Sequence, residues 1–205
     1  MSTEPTYIHL LKRQPTQARS IQRVDGILDA AAELLGVREP AAITIRELAA
    51  VAGVPTGTVY QFFDDKDAVL QALAVRFVAA MPQVLDETLA GAGDAWTDTL
   101  DRVVDAYADM ARAHPALRRL WLSGTLDAAT RTIERETDAT LAARLGALLR
   151  DQAGSTGGSQ AEWETLVAII NALLIHAFTL DPEGDETALH EARRAVRAYA
   201  AVVLT

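Results

Sequence analysis

The sequence predicts an all-α protein of about nine helices, and three observations support this fold class. Half of the 205 residues are apolar, and they recur every three or four positions over most of the chain, as the buried face of a helix requires. Helix-start and helix-stop signals, such as Thr44 with Glu47 and later Gly53, bound the apolar runs. Two neighbouring predicted helices are very short. A chain of this length can bury a sizeable core, in one domain or two small ones.

The N-terminal region combines a polar segment with an amphipathic helix. Residues 1–15 are polar and contain two prolines, which predicts a flexible arm. The first helix is expected to start at Pro15-Thr16 and to end at Gly36. Its inward-facing positions follow helical spacing and are Ile21, Val24, Ile27, Leu28, Ala31, Leu34 and Leu35.

The next segment, ITIRELAAVAGVPTGTVYQFFDDK over residues 43–66, predicts two short helices separated by a tight turn. Thr44 and Glu47 form a capping box, in which each side chain satisfies a backbone N–H at a helix start. A helix therefore begins near Ile45. It ends at Gly53, which can adopt the left-handed conformation that closes a helix.

The second short helix is expected from Pro55 to Phe62, because proline lacks the N–H that a first helical turn leaves unpaired. Val59 and Phe63, four residues apart, are predicted to face inward. The residues left on the other faces are Thr56, Gly57, Thr58, Tyr60 and Gln61. Such a face has little to bury, but it can hydrogen-bond to phosphates and base edges.

Six further helices are predicted after this segment, separated by breaks that contain Gly or Pro. The expected ranges are Asp65 or Asp67 to Ala90, Asp94 to Ala113, Pro115 to Leu122, Leu126 to Asp151, Gln160 to Phe178 and Asp185 to Val203. The second of these helices carries an acidic row, which we interpret as solvated surface rather than metal ligands. The row consists of Asp98, Asp101, Asp105 and Asp109.

Composition and charge exclude several classes of protein. The chain has no Cys, which excludes disulfides, thiolate metal sites and a cysteine nucleophile. The N-terminus lacks the apolar run of a signal peptide, and no later stretch is expected to reach a membrane span. The net charge is −9, but residues 1–23 carry +3 and residues 67–205 carry −8. We therefore expect a soluble, cytoplasmic protein with a small basic face on an acidic body.

The pattern T-x-R-E-L-A-x-x-A-G-V-x-x-G-T-x-Y-x-x-F-x-x-K in residues 44–66 resembles the signature of the TetR family of transcriptional regulators. Two short helices joined through a Gly turn are also the sequence form of a helix-turn-helix. Pro55 and Thr56 depart from the residues most frequent in the family. The resemblance implies a flexible arm (residues 1–15), a three-helix DNA-binding domain (residues 16–64) and a helical ligand-binding and dimerisation domain (residues 65–205).

The resemblance further implies contacts with double-stranded operator DNA. Phosphate contacts are expected from Thr44, Tyr60 and Lys66, and base-edge contacts from Arg46, Thr56, Thr58 and Gln61; Pro55 and Gly57 complete the set, Gly57 by permitting close backbone approach. Arg can pair with guanine and Gln with adenine, in agreement with these assignments. Arg19 and Arg23, near the start of the first helix, either reach phosphates or are simply exposed. The arm either touches DNA or is a free tail.

A small-molecule effector of unknown identity, expected to be mostly apolar, and a homodimer are also implied. The effector-site candidates are Phe77, Met81, Tyr107, Met110, Trp121, Asn171, His176 and Phe178. For Asn171 and His176, which are polar within an apolar helix, a satisfied buried side chain is the alternative. The dimerisation candidates on the last two helices are Trp163, Val167, Ile170, Leu174, Val196 and Tyr199. No catalytic residue, metal ligand or cofactor is expected.

Three function classes follow. The first is a repressor that an effector releases from a palindromic operator by shifting the population between two states. The second is a helical dimeric binding or scaffold protein without DNA function, which would leave the polar face of residues 56–61 unexplained. The third is an enzyme, but the four His residues are scattered and no Ser-His-acid arrangement can be proposed.

Overall fold

The computed structural model describes residues 6–15, 17–91, 93–124 and 126–205, and this part of the chain contains nine α-helices and no β-strand. The helices are α1 (Ala18–Val37), α2 (Ile45–Val51), α3 (Thr56–Phe62), α4 (Lys66–Ala90), α5 (Trp96–Ala113), α6 (Pro115–Ser123), α7 (Ala128–Ala153), α8 (Gln160–Leu180) and α9 (Glu186–Val203). Short 3-10 helices span Thr6–Leu10 and Pro40–Ala42. The all-α prediction is confirmed. Thr16, at the expected start of the first helix, lies outside the described residues, and the helix begins at Ala18.

The chain divides into two compact units. Unit 1 comprises residues 1–79 and 114–133, and unit 2 comprises residues 80–113 and 134–205. Each unit is thus assembled from separate stretches of chain, with α4 and α7 contributing residues to both. The domain limits expected at residues 15 and 64 concern function rather than compactness, and they stay predictions.

Unit 1 is built around α1, which packs against α2 and α6. Its fully buried residues Val24, Ile27, Leu28 and Leu35 follow the predicted helical spacing. Leu48 of α2 and Val59 of α3 are equally buried, and so is Phe63, which directly follows α3. On α6, Arg119 donates hydrogen bonds of 2.9 Å and 2.7 Å to the carbonyls of Leu35 and Gly36. These bonds satisfy acceptors that the end of a helix leaves open.

Part of the predicted flexible arm is instead built into unit 1. Residues 1–5 lie outside the described residues, but Tyr7, Ile8 and Leu11 are buried in the hydrophobic core with α1 and α3. The Tyr7 hydroxyl donates to the carboxylate of Asp25 on α1. The prediction of a flexible arm is therefore wrong for residues 6–11. The apolar run YIHLL can bury enough surface to order the segment despite its polar surroundings.

Unit 2 packs α9 against α8 and α5. The helix α8 begins with a capping box in which Ser159 and Glu162 exchange hydrogen bonds. The turn between α8 and α9 closes at Gly184, which has a left-handed backbone with φ of 85°. A Cβ at this position would lie 3.1 Å from the ring of Phe178, so the glycine meets both a conformational and a space requirement.

The acidic row of α5 is not simply solvated surface, as was expected. Asp105 accepts a 2.8 Å hydrogen bond from Nε of Arg193, and a carboxylate oxygen of Asp101 lies 3.3 Å from Nε of Arg197. These pairs join successive turns of α5 to successive turns of α9. All four side chains are half-buried, and because such pairs must offset the cost of desolvation, we assign them mainly to the register of the two helices. Among the described residues, no group of three or more potential metal ligands is found.

Two helices, α4 and α8, are long and apolar enough to cross a membrane by length and composition, contrary to the expectation for the sequence. In α4, 56% of the most apolar window is buried inside the structure, against 39% in α8. The core of a folded protein accounts for the composition of α4. The helix α8 keeps more of its apolar surface outward, and that surface needs a separate explanation.

Candidate functional site

The first short helix of the candidate site is fixed by the predicted capping box. The Thr44 hydroxyl accepts a 3.3 Å hydrogen bond from the backbone N–H of Glu47 and donates one of 2.7 Å to its carboxylate. The backbone N–H of Thr44 donates to the same carboxylate at 3.0 Å. Arg38 donates to Glu47 at 2.7 Å, and this bond, with those from Thr44, holds the pKa of Glu47 below its ordinary value. The box therefore fixes the start of α2 and links it to the end of α1.

Gly53 makes the turn between α2 and α3 possible. Its φ of 65° lies in the left-handed region, as the sequence predicts, because other residues rarely adopt that conformation. The N–H of the next residue, Val54, donates a 3.0 Å hydrogen bond to the carbonyl of Ala49. This bond closes α2 and directs the chain into α3.

The helix α3 buries one side and exposes the polar face that the sequence predicts. Val59 and Phe63 are fully buried, and Phe62 is nearly so. Thr56, Gly57, Tyr60 and Gln61 are exposed and Thr58 is half-buried. Pro55 is the N-cap of α3 rather than its first residue, with extended ψ of 143°.

Gly57 has no role in the packing of the described structure. A Cβ built at this position meets no atom within 4 Å. Glycine in a helix costs roughly 1 kcal/mol relative to alanine, so its presence at an open position needs another reason. Close approach of the backbone to a ligand outside the chain is such a reason.

Two of the three predicted phosphate contacts already hold hydrogen bonds within the chain. The hydroxyl proton of Thr44 is used in the capping box. Lys66 donates a 2.8 Å hydrogen bond to the carbonyl of Pro40, and its ammonium lies 3.9 Å from Asp67. The third, Tyr60, is 50% exposed. Lys66 therefore anchors the 3-10 helix at Pro40–Ala42, a role that the sequence did not reveal because its partner is a carbonyl 26 residues away.

Four exposed arginines lie in α1, in α2 and in the segment before α1. Arg13, Arg19, Arg23 and Arg46 are exposed, and none forms an ion pair within the described part of the chain. Lys12 differs, because it pairs with Asp64 at 2.8 Å and its backbone N–H donates to the carbonyl of Phe62 at 2.9 Å. The segment before α1 is thus tied to the C-terminal end of α3, a link that sequence analysis missed.

The effector-site candidates fall in both units. Phe77 is half-buried in unit 1 with its ring centroid 5.8 Å from that of His114, and Trp121 is half-buried in the same unit. In unit 2, Met81 and Phe178 are buried and Met110 is half-buried. His176 is exposed, so neither a buried imidazole nor a lining side chain fits its position.

Two candidates, Tyr107 on α5 and Asn171 on α8, belong to one polar cluster inside unit 2. Asn171 donates a 3.2 Å hydrogen bond to the carboxylate of Asp138 on α7. Burial, and then the nearby charge of Glu134, raise the pKa of Asp138 to about 6. Burial together with the charges of Asp138 and Asp86 raises the pKa of the Tyr107 phenol. Sequence analysis missed Asp138 because it lies in a run of charged residues on α7.

Most of the dimerisation candidates are buried inside their own unit. Five of the six are less than 9% exposed: Trp163, Val167, Ile170, Leu174 and Val196. Tyr199 is half-buried. Trp163 shows why: a Cβ at Gly146 or Gly158 would lie 2.6 Å or 2.5 Å from its indole, so both glycines make room for the ring. Their burial does not support a direct contact between these five side chains and a partner.

The outward positions of α8 and α9 are different residues. The small ones among them are Ala161, Thr165, Ala168, Ala172, Ile175 and Thr179 on α8, and Ala195, Ala198, Ala201 and Val202 on α9; charged and polar residues such as Glu164, His176 and Arg194 are exposed beside them. The small ones recur every three or four residues and so form one stripe on each helix. The side chains are small and mostly apolar.

Comparisons with known proteins agree with this architecture. Residues 27–73 match the family of bacterial regulatory proteins, tetR family, and residues 94–201 match the tetracyclin repressor-like C-terminal domain. A TetR-family transcriptional regulator from Streptomyces coelicolor is 33% identical, with a TM-score of 0.69 over 91% of this chain and 100% of that chain. The structure of the fatty acid degradation regulator FadR from Bacillus halodurans is 16% identical, with a TM-score of 0.66 over 89% of this chain and 94% of that chain, and shares the fold.

A curated relative matches over a shorter range. The HTH-type transcriptional regulator BetI of Stenotrophomonas maltophilia (strain R551-3) is 30% identical over 80 residues, which are 39% of this chain and 41% of BetI. The matched region thus spans less than half of that protein. The helix-turn-helix of α2 and α3, the all-α fold and the family matches to both parts of the chain lead to one conclusion: the chain belongs to the TetR family of transcriptional regulators.

Proposed function

We propose that this regulator is a homodimeric repressor that binds a palindromic operator through α3 and is released by a small, mostly apolar effector. The observation that carries the proposal is the outward face of α3. Tyr60 and Gln61 are exposed, and a Cβ at Gly57 would meet no atom of the chain within 4 Å. Hydroxyl and amide groups bind phosphates and base edges, and a glycine allows the backbone to approach them.

Charge supports unit 1, which contains α3, as the part of the chain that contacts DNA. The exposed arginines at positions 13, 19, 23 and 46 have no ion pairs in the described part of the chain, so their guanidinium groups are available to phosphates. Each phosphate neutralised by a basic side chain releases counterions from DNA. We therefore expect operator affinity to fall steeply with salt, although the whole chain is acidic.

The outward stripes of α8 and α9 support a homodimer. Exposed apolar positions at helical spacing, such as Ala168, Ala172 and Ile175, are unfavourable in water but suit close packing of two helices. A second copy of the chain presents the same stripes across a twofold axis. Such a dimer carries two α3 helices, which can reach successive major-groove half-sites of a palindrome.

Effector control follows from the same arrangement. A ligand held in unit 2 would favour a spacing of the two α3 helices that no longer matches the half-sites. Buried and half-buried apolar side chains, among them Met81 and Met110, supply surroundings that suit an apolar ligand body. We also propose that the protein acts in the cytoplasm, where its operator lies, and that it has no enzymatic activity.

A gel-shift experiment tests the proposal. The purified protein is titrated onto the DNA upstream of its own gene, with excess nonspecific DNA and a salt series. We expect a discrete complex that survives the competitor. Tyr60→Ala and Gln61→Ala should each weaken this complex by about tenfold or more, since one good base or phosphate contact contributes roughly 1–3 kcal/mol.

A matched control separates DNA contact from folding. Gln83→Ala removes an exposed amide from α4 in unit 2 and should leave operator affinity unchanged. Loss of binding in this control would point to a general defect. If no sequence-specific complex forms with upstream DNA or with a random DNA library, the repressor proposal fails and a helical binding protein without DNA function is favoured.

A further inference from the structure

A buried phenol without a partner marks a polar point inside unit 2. Tyr107 is 8% exposed, and its hydroxyl forms no hydrogen bond with any described residue. An unpaired buried hydroxyl costs roughly 1–3 kcal/mol, so it is rarely kept without a reason. Because burial raises the pKa of Tyr107, the phenol keeps its proton and can both donate and accept a hydrogen bond.

The carboxylate of Asp138 lies near this phenol and forms no ion pair with a cation among the described residues. Asp138 on α7 is half-buried, and its hydrogen bond comes from the neutral amide of Asn171 at 3.2 Å. No ion pair to Asp138 is formed in the described part of the chain. One arginine of the same helix, Arg144, pairs instead with the exposed Asp86 through two hydrogen bonds of 2.8 Å. Asp138 therefore carries a partly desolvated negative charge that the protein leaves uncompensated.

We infer that Tyr107, Asp138 and Asn171 form the polar end of the effector site, and that the effector carries a protonated amine on an apolar body. An ammonium group can donate to the carboxylate of Asp138 and to the phenol oxygen of Tyr107 at once. A carboxylate ligand would be repelled by Asp138. One helical turn away from Asp138 and Asn171, Leu141 and Leu174 are buried and supply apolar surroundings. The inference rests on the proposed function only in calling the bound amine an effector. Binding of the amine to unit 2 does not depend on that function.

Three probes with the same apolar chain test the head group: n-octylamine, 1-octanol and octanoate. Binding to the full chain is measured by isothermal titration calorimetry at pH 7.5, without DNA. We expect octylamine to bind at least about tenfold more tightly than octanoate, as a charge-assisted hydrogen bond allows. Asp138→Asn should weaken octylamine binding about tenfold, and Tyr107→Phe should weaken octylamine and octanol binding by a smaller factor.

Asp151→Asn is the matched control, because it removes the same charge from an exposed position at the other end of α7. Circular dichroism checks that each variant is folded. Octylamine binding no tighter than that of octanoate, or equal effects of the two Asp→Asn changes, would overturn the inference, whatever the gel shift with operator DNA shows. Octylamine binding that leaves the operator complex intact would overturn its role as the effector head group.

Discussion

The outward faces of α3 and α8 differ in chemistry, although each helix buries its other side in its own unit. The face of α3 carries hydroxyl and amide groups beside an open glycine. The stripe of α8 carries alanines, an isoleucine and two threonines, whose hydroxyls donate to carbonyls of the same helix. Polar groups at a rigid helix surface suit a polar, charged partner such as DNA. Small apolar groups suit a second helix at short distance. This difference is the basis for proposing that the face of α3 contacts the operator and that of α8 a second copy of the chain.

The largest expected effect concerns the inward side of α8. Trp163→Ala removes an indole that is 2% exposed and that occupies the space left by Gly146 and Gly158. It should lower the free energy of unfolding by about 3–5 kcal/mol, because the surrounding residues cannot fill the cavity. Urea unfolding followed by circular dichroism measures the loss. An effect below about 1 kcal/mol would show that the indole is not part of the core.

A second prediction tests the outward side of the same helix. Ala172→Asp places a charge in the middle of the exposed stripe of α8 and should weaken dimerisation about a hundredfold or more, because the charge is desolvated at the interface. The folded subunit should be unaffected, since Ala172 does not pack inside it. Sedimentation equilibrium measures the dissociation constant.

The control for this change is Ala90→Asp, which adds the same charge at the exposed end of α4. It should leave the dimer intact. If Ala172→Asp also leaves the dimer intact, the stripe of α8 is not the dimer interface. Dimerisation would then not explain why the exposed face of α8 differs from that of α3.

A third prediction separates DNA contact from stability on α3. Gly57→Ala should raise the free energy of unfolding by up to about 1 kcal/mol, because alanine favours the helix and the new methyl group meets no atom of the chain. Operator affinity should fall about tenfold, because that methyl group intrudes where the DNA backbone approaches. Thermal unfolding and gel shift measure the two effects.

Gly36→Ala is the matched control in α1, where a Cβ also meets no atom within 4 Å. It should bring a similar gain in stability with operator affinity unchanged. Equal operator affinity for Gly57→Ala and Gly36→Ala would remove Gly57 from the contact surface.

The two helices also differ in how far the sequence predicts them. The ends of α2 and α3 depend on local signals, such as the Thr44–Glu47 box and Gly53, and these predict the elements and the exposed face of α3 correctly. The helix α8 is apolar on more than one side, so its period cannot tell a core position from an interface position. The space for Trp163 is made by Gly146, on another helix, which no local pattern reveals.

Distant partners explain the other differences. Lys66 has the charge of a phosphate contact, but its hydrogen bond goes to the Pro40 carbonyl. Tyr7 lies in a segment with the composition of a free tail, yet it is 3% exposed and bonded to Asp25. In both cases the decisive partner is a group on another element. Composition and spacing cannot supply that information.

The smallest expected effect is a pH dependence from the polar cluster in unit 2. Asp138 has a pKa near 6 in the folded chain and an ordinary value of 3.8. Its contribution to stability is therefore fully present below pH 3.8 and is lost as pH rises to about 6, because the folded state binds the proton more tightly.

Asp138→Asn does not titrate, so it should be more stable than the wild type by up to about 1 kcal/mol above pH 6, after allowance for solvent screening. The gap should shrink towards zero at pH 4. Thermal unfolding over this pH range measures the gap, and Asp151→Asn, which removes the same charge from an exposed position of α7, is the control. A gap that is independent of pH would mean that Asp138 is solvated like a surface residue. Desolvation would then not distinguish the polar cluster from the exposed carboxylates of α7.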